Sequence, residues 1–203
     1  MKIIVIYDDT GRKSEVIADI IGDKGFADVV VKKRCLEEYY HEAISKIYKD
    51  VLWIKIHSAF EYAEQIRQLD KYSNQDVRVI HCFSNYIFSN LEKAKLSFEK
   101  IGYIDVPYGV FDGTRAVAAM FQNIDMYISF CKNIISGTKA WDLIKEMPER
   151  FNIEGMVDIG VISNFIQCVT GNFDSRYFNS LKGNEYTLVK SSTNKKKIKV
   201  FIK

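Results

Sequence analysis

Five consecutive residues near the start of the chain, Ile3-Ile4-Val5-Ile6-Tyr7, are apolar and mostly β-branched, with no alternation of apolar and polar positions. Such a run is a strand buried on both faces, which requires a sheet covered by helices on each side. The polar loop Asp8-Asp9-Thr10-Gly11-Arg12-Lys13-Ser14 follows, then a helical period in Val16, Ile17, Ile20 and Ile21 that Gly22 and Gly25 close. Strand-like stretches recur at 28–32, 51–56 and 77–83, separated by helical stretches at 37–49 and 60–69. This alternation predicts an α/β fold, a Rossmann-like, mostly parallel sheet flanked by helices.

Further along, 91–100 reads as a helix, and 104–111, which holds Pro107, as a strand or extended edge rather than a central strand. Asp112-Gly113-Thr114-Arg115 then opens an apolar run through Met120 that reads as a helix, and a second helix runs beyond Asn123 to a stop at Gly137. A short helix is expected over 141–151, while 156–169 fits either a helix or a buried strand. A strand is expected over 185–190, with a turn at 191–194. With 203 residues, two full domains would be cramped. The expected organisation is one Rossmann-like domain over 1–170 and a short β-containing appendage over 171–203.

The net charge of +3 is uneven, because Lys190, Lys195, Lys196, Lys197, Lys199 and Lys203 crowd the end of the chain. Without interleaved aromatic residues this cluster reads as a solvated face, and no nucleic-acid binding is expected. Cys35, Cys82, Cys131 and Cys168 form no CxxC pair and read as buried free thiols. No apolar stretch approaches the roughly 18–20 residues of a membrane span, and Met1-Lys2 leads straight into the first strand. A cytoplasmic protein with no leader and no membrane span is expected.

The loop Asp8 to Ser14 is the first candidate for a ligand site. A Gly-containing turn between a buried strand and a helix aims backbone N–H groups at an anion, and Thr10, Arg12, Lys13 and Ser14 add donors. The ordinary account of the same residues is a capped helix start. The loop matches neither GxxxxGK[ST] nor GxGxxG. Asp8 and Asp9 together could hold Mg²⁺ only where the strand has already ended, since neighbouring strand residues point to opposite faces. Asp112, Gly113, Thr114 and Arg115 repeat the logic, with Thr114 as cap and Arg115 facing an anion. Were both loops at the carboxyl ends of parallel strands, they would flank one crevice. His41, His57 and His81 are too scattered for a metal set; His57 and His81, at predicted strand ends, could each serve as a general base, though a structural hydrogen-bonding group is the simpler account. Tyr39, Tyr40, Tyr86 and Tyr103 could stack a sugar or base, though core packing is the simpler account. No GxSxG elbow exists, so no nucleophile or other catalytic residue is assigned.

Gly171 to Asn179, Gly183 to Ser192 and Lys195 to Lys199 together resemble a junction found in bacterial capsular polysaccharide biosynthesis proteins. There a sugar-nucleotide-type α/β domain runs into a kinase-like lobe related to choline and aminoglycoside kinases. The resemblance implies a domain that binds a sugar phosphate or nucleotide sugar and is nucleotidyltransferase-like or glycosyltransferase-like. It also implies that residues 185–191 match the first strand of the kinase-like lobe, although no HxDxxxxN motif follows. The alternative is a non-catalytic regulatory module docking on a kinase-like partner domain; a homo-oligomer is also compatible with the sequence. A flavodoxin-like domain rests only on Thr10-Gly11 after the first strand.

Overall fold

A computed structural model of the chain describes residues 1–170, 187–190 and 198–201. In chain order the elements are β1 (Lys2–Asp8), α1 (Glu15–Ile21), β2 (Val30–Val31), β3 (Arg34–Cys35), α2 (Leu36–Ile47), β4 (Val51–Ile56) and α3 (Glu61–Leu69). Next come β5 (Val77–Phe83), β6 (Tyr86–Phe88), α4 (Leu91–Glu99), β7 (Tyr108–Asp112), β8 (Arg115–Phe121) and α5 (Ile124–Ile135). The last are α6 (Ala140–Lys145), β9 (Glu149–Asn152), β10 (Met156–Asp158), α7 (Ile162–Val169), β11 (Thr187–Lys190) and β12 (Ile198–Phe201).

Six strands form the central sheet in the order β4-β1-β5-β8-β7-β9. β1 is parallel to β4 and β5, and β7 to β9; β8 alone runs antiparallel to its neighbours β5 and β7. This is the Rossmann-like, mostly parallel sheet expected from the sequence. β1 lies inside it because both its faces are apolar. Ile3, Val5 and Tyr7 pack with α2 and α4 through Tyr40, Ile44 and Phe98, while Ile4 and Ile6 pack with α3 and α5 through Tyr62, Leu69, Tyr127 and Cys131. A satellite cluster joins α1 and α7 through Ile17, Phe26, Tyr39 and Phe165.

Four expectations need correction. The stretch 28–32 contributes only β2, which forms a two-stranded ribbon with β3 and lies outside the central sheet. The segment around Pro107 becomes β7, which is interior, because the proline falls just before the strand and leaves no ladder bond unmade. Asp112 to Arg115 opens a strand and not a helix. Asp112 pairs with Arg115 across a tight turn in which Gly113 has φ +58°, and Ala116–Phe121 fills β8, buried along its whole length. A short apolar run without period fits a central strand and a buried helix equally, and the turn glycine decides between them here. The helix expected over 141–151 ends at Lys145, and the chain returns as edge strand β9. The ambiguous stretch 156–169 holds both a strand, β10, and a helix, α7. β11 falls within the expected strand and pairs antiparallel with β12, while the turn expected at 191–194 lies outside the described residues.

Gly155 fixes the approach of β10 to β6. Its carbonyl accepts hydrogen bonds from Ser89 N (2.8 Å) and Asn90 N (2.9 Å), its φ is +81°, and a Cβ there would collide with the Asn90 carbonyl. Gly155→Ala is expected to lower stability by about 1–3 kcal/mol, read as a lower denaturant midpoint with unchanged slope.

Candidate functional site

Because β1, β4, β5 and β7 point the same way, the segments after them gather at one edge of the sheet. This is where ligands bind in open α/β sheets. β1 delivers two adjacent carboxylates to that edge, and strand alternation sends them to opposite faces.

Asp8 continues the Ile4–Ile6 side and is buried. Its Oδ2 accepts a hydrogen bond from Tyr62 Oη (2.7 Å) and lies 3.1 Å from His81 Nε2; its Oδ1 accepts from Thr10 N (2.8 Å). His81, also buried, places Nδ1 3.3 Å from Tyr127 Oη. Burial alone would push the Asp8 carboxyl up, but the hydrogen bond and charge of His81, with the bonds from Thr10 and Tyr62, outweigh it and hold the carboxyl below its ordinary value. His81 is therefore the structural hydrogen-bonding group that the sequence suggested, and Asp8 anchors the start of the loop.

Asp9 continues the Tyr7 side. Its N–H donates to Ile56 O (2.8 Å), extending the β1–β4 ladder by one residue, and its Oδ1 accepts from Ser84 Oγ (2.5 Å) and Ala27 N (3.2 Å). Burial raises its carboxyl, and the bonds from Ser84 and Ala27 only partly offset this. Gly25 is less a helix stop than a close approach, since a Cβ there would run into the Asp9 carboxylate. Asp8 and Asp9 thus face different layers and do not share one Mg²⁺. Asp9 instead meets Asp28 and His57, with one ligand atom of each within 4.8 Å of the other two.

In the rest of the loop, Ser14 caps α1, its Oγ accepting from Ile17 N (3.3 Å). Lys13 reaches back to the carbonyls of Gly22 (2.9 Å) and Lys24 (2.5 Å), tying off the far end of the same helix. Thr10, Gly11 and Arg12 are exposed. The turn Asp112-Gly113-Thr114-Arg115 is exposed at the same sheet edge. Arg115 Nη1 pairs with Asp158 Oδ2 (2.5 Å), and Asp158 Oδ1 accepts from Asn85 Nδ2 (2.9 Å) and Gly160 N (2.8 Å). Asn85 also stands near the loop after β1, its Oδ1 lying 3.9 Å from where a Gly11 side chain would begin. Asn85 and Asp158 were not singled out in the sequence. Asn85 follows β5 and was legible as a strand-end polar residue, whereas Asp158 sat in a stretch whose secondary structure was open.

Tyr39, Tyr40 and Tyr86 are buried in the core, and Tyr103 is exposed beyond α4, at the amino end of β7 and so away from this edge. Cys82, Cys131 and Cys168 are buried and Cys35 is half-buried; all four are free thiols, and burial pushes Cys82 up to about 12. Among the described residues no helix is long and apolar enough to cross a membrane.

No protein-family model matches the chain, and no curated protein matches it. Among solved structures it is similar to a protein from Bacillus anthracis, described as a glucose-1-phosphate thymidylyltransferase and solved with sucrose. Identity is 11% over 88% of this chain and 98% of that one, with a TM-score of 0.50. It is also similar to 4-diphosphocytidyl-2C-methyl-D-erythritol synthase from Anaerococcus prevotii, at 10% identity over 82% of this chain and 96% of that one, with a TM-score of 0.49. The likeness to the Bacillus anthracis structure is one of fold: the chain shares its α/β, Rossmann-like architecture.

Replacing the anchor carboxylate tests its structural role. Asp8→Asn is expected to destabilise the protein at pH 7 by about 1–3 kcal/mol, the cost of a buried polar group losing its partners. The folded carboxyl lies below its unfolded value near 3.8, so its ionised form is preferred by the native state. The stability this gives is present above that value and is lost as pH falls through the folded one. Acid titration of the melting temperature should therefore be shallower below pH 4 in Asp8→Asn than in the wild type.

Proposed function

We propose that the chain binds a phosphorylated sugar or a nucleotide sugar in the crevice between the loop after β1 and the turn between β7 and β8, and acts in nucleotidyl or glycosyl transfer. The supporting observation is the run of contacts Asn85–Asp158–Arg115, which ties the segment after β5 to the β7–β8 turn at the carboxyl edge of the sheet, beside the loop that holds Gly11. Arg12 stands exposed in that loop and Arg115 in the turn.

Arg115 carries its charge on a planar fork of five N–H donors. Asp158 engages Nη1 and orients the fork, while the side chain stays 57% exposed. The remaining donors suit phosphate oxygens, which a guanidinium holds in paired hydrogen bonds. Arg12 supplies a second cation, without an ion pair among the described residues, and the backbone at Gly11 allows a ligand close approach. Thr10, Asp112 and Thr114 offer hydroxyl and carboxylate groups for sugar hydroxyls. A setting in cell-surface polysaccharide synthesis, in the cytoplasm, rests on the resemblance of residues 171–199, and a kinase-like partner rests on it alone.

Thermal shift against CTP, UTP, nucleoside diphosphate sugars and sugar 1-phosphates tests this reading, because a ligand that binds the native state alone raises the melting temperature. One phosphorylated class is expected to stabilise the protein. Arg12→Ala and Arg115→Ala should each weaken its binding by about tenfold or more, as for the loss of a charge-assisted hydrogen bond. A well-folded protein that none of these ligands stabilises would rule the reading out.

A further inference from the structure

Three segments distant in sequence converge on the α2 side of the β1–β4 edge: the residue after β1, the turn that follows α1 and the residue after β4. We propose that Asp9, Asp28 and His57 form a binding site for a divalent transition-metal ion of the Mn²⁺, Co²⁺ and Zn²⁺ class. One ligand atom of each lies within 4.8 Å of the other two. Around an ion with bonds of about 2.1 Å, tetrahedral ligands stand about 3.4 Å apart, so small side-chain rotations close the set.

The backbone dictates this convergence. The parallel register sets Asp8 beside Ile56, and Asp9 N–H continues the ladder, so Asp9 and His57 leave adjacent strands side by side. The bond from Ala27 N to Asp9 Oδ1 draws in the turn that carries Asp28. His57 is held by its main chain, its N–H donating to Glu61 Oε2 (3.0 Å), while its ring has no hydrogen bond or ring contact among the described residues.

A second observation points to a ligand independently of the clustering. Asp9 is only 8% exposed, yet both of its hydrogen bonds fall on Oδ1, and Oδ2 has no donor among the described residues. That oxygen is ionisable and has no donor among the described residues, which leaves its lone pairs available to a cation. The nearby cation does not supply the missing partner, because the Lys55 ammonium is engaged 2.8 Å from Asp28 Oδ1 and 2.8 Å from Glu37 Oε2. It lies within ion-pair distance of those two carboxylates and not of Asp9. A metal ion at the triad would satisfy Oδ2 and use the idle imidazole.

The donor set fixes the class of ion. Imidazole with two carboxylates suits Mn²⁺, Co²⁺ and Zn²⁺, whereas Mg²⁺ and Ca²⁺ favour oxygen donors throughout. The site needs no nucleotide, so its test is independent of the ligand proposed for the crevice.

The experiment titrates Co²⁺ into the metal-free chain without nucleotide, following visible absorption and melting temperature. One saturable equivalent is expected, with a rise in melting temperature, and a hundredfold excess of Mg²⁺ should leave most of it bound. His57→Ala and Asp9→Asn should each weaken binding by about tenfold or more. Asp9→Asn keeps Oδ1 as acceptor for Ser84 and Ala27, so a metal-free melting temperature at or above that of the wild type shows that lost binding is not lost folding. His41→Ala, which removes an exposed histidine elsewhere, should bind as the wild type does. The proposal is overturned by a folded protein that takes up no Co²⁺ at millimolar concentration, by equal binding in His57→Ala or Asp9→Asn, by Mg²⁺ displacing Co²⁺ at equal concentration, or by His41→Ala losing binding as fully as His57→Ala.

Discussion

The buried contact between Asp8 and His81 ties the sheet to everything built at its edge. A carboxylate inside an apolar layer would destabilise the fold if left alone. Here His81 from β5, Tyr62 from α3 and the amide of Thr10 all converge on it. One side chain therefore fastens two neighbouring strands, a covering helix and the first residue of the loop. The consequence reaches the other face, since Asp9 can turn toward Ser84, Ala27 and His57 only because Asp8 has fixed where β1 stops and which way its last residue points.

Sequence patterning revealed the parallel half of the sheet and not the half that reverses direction. β1, β4 and β5 are dense apolar runs followed by polar loops, and each lies where the pattern put it. β8 escaped because Ala116-Val117-Ala118-Ala119-Met120-Phe121 has small residues and no period, so helix and strand were equally compatible with it. Gly113-Thr114 between two apolar runs carried the hairpin signal that would have settled the matter. β9 was hidden for the opposite reason, since Glu149-Arg150-Phe151-Asn152 is polar, as an exposed edge strand is entitled to be.

The candidate site divides in the same way. The two loops were visible from composition, as was the rule that adjacent carboxylates on a strand diverge. What no local pattern could show is the company each residue keeps. Asp28 reaches His57 through the fold of a turn, and Asp158 reaches Arg115 across more than forty residues of chain. Lys13 read as a candidate anion donor because it lies in the polar loop that opens α1, and it is instead bound to the carbonyls of Gly22 and Lys24 beyond the end of that helix. The pairs of the candidate site are tertiary facts, resting on strand order and register.

The two walls of the proposed crevice differ in how they can vary. The loop after β1 is bound at Asp8 and Thr10 and drawn in at Lys13 and Ser14, so a change in its length would strain the anchor and α1 together. Across from it, the hairpin between β7 and β8 is closed by the Asp112–Arg115 pair, and Gly113 and Thr114 project into solvent without obligations to the core. Added residues there would cost little beyond loop closure, which grows only slowly with length. The fold thus provides a fixed floor and a wall that can be rebuilt, a division of labour through which related sequences could change what they recognise while keeping the same sheet.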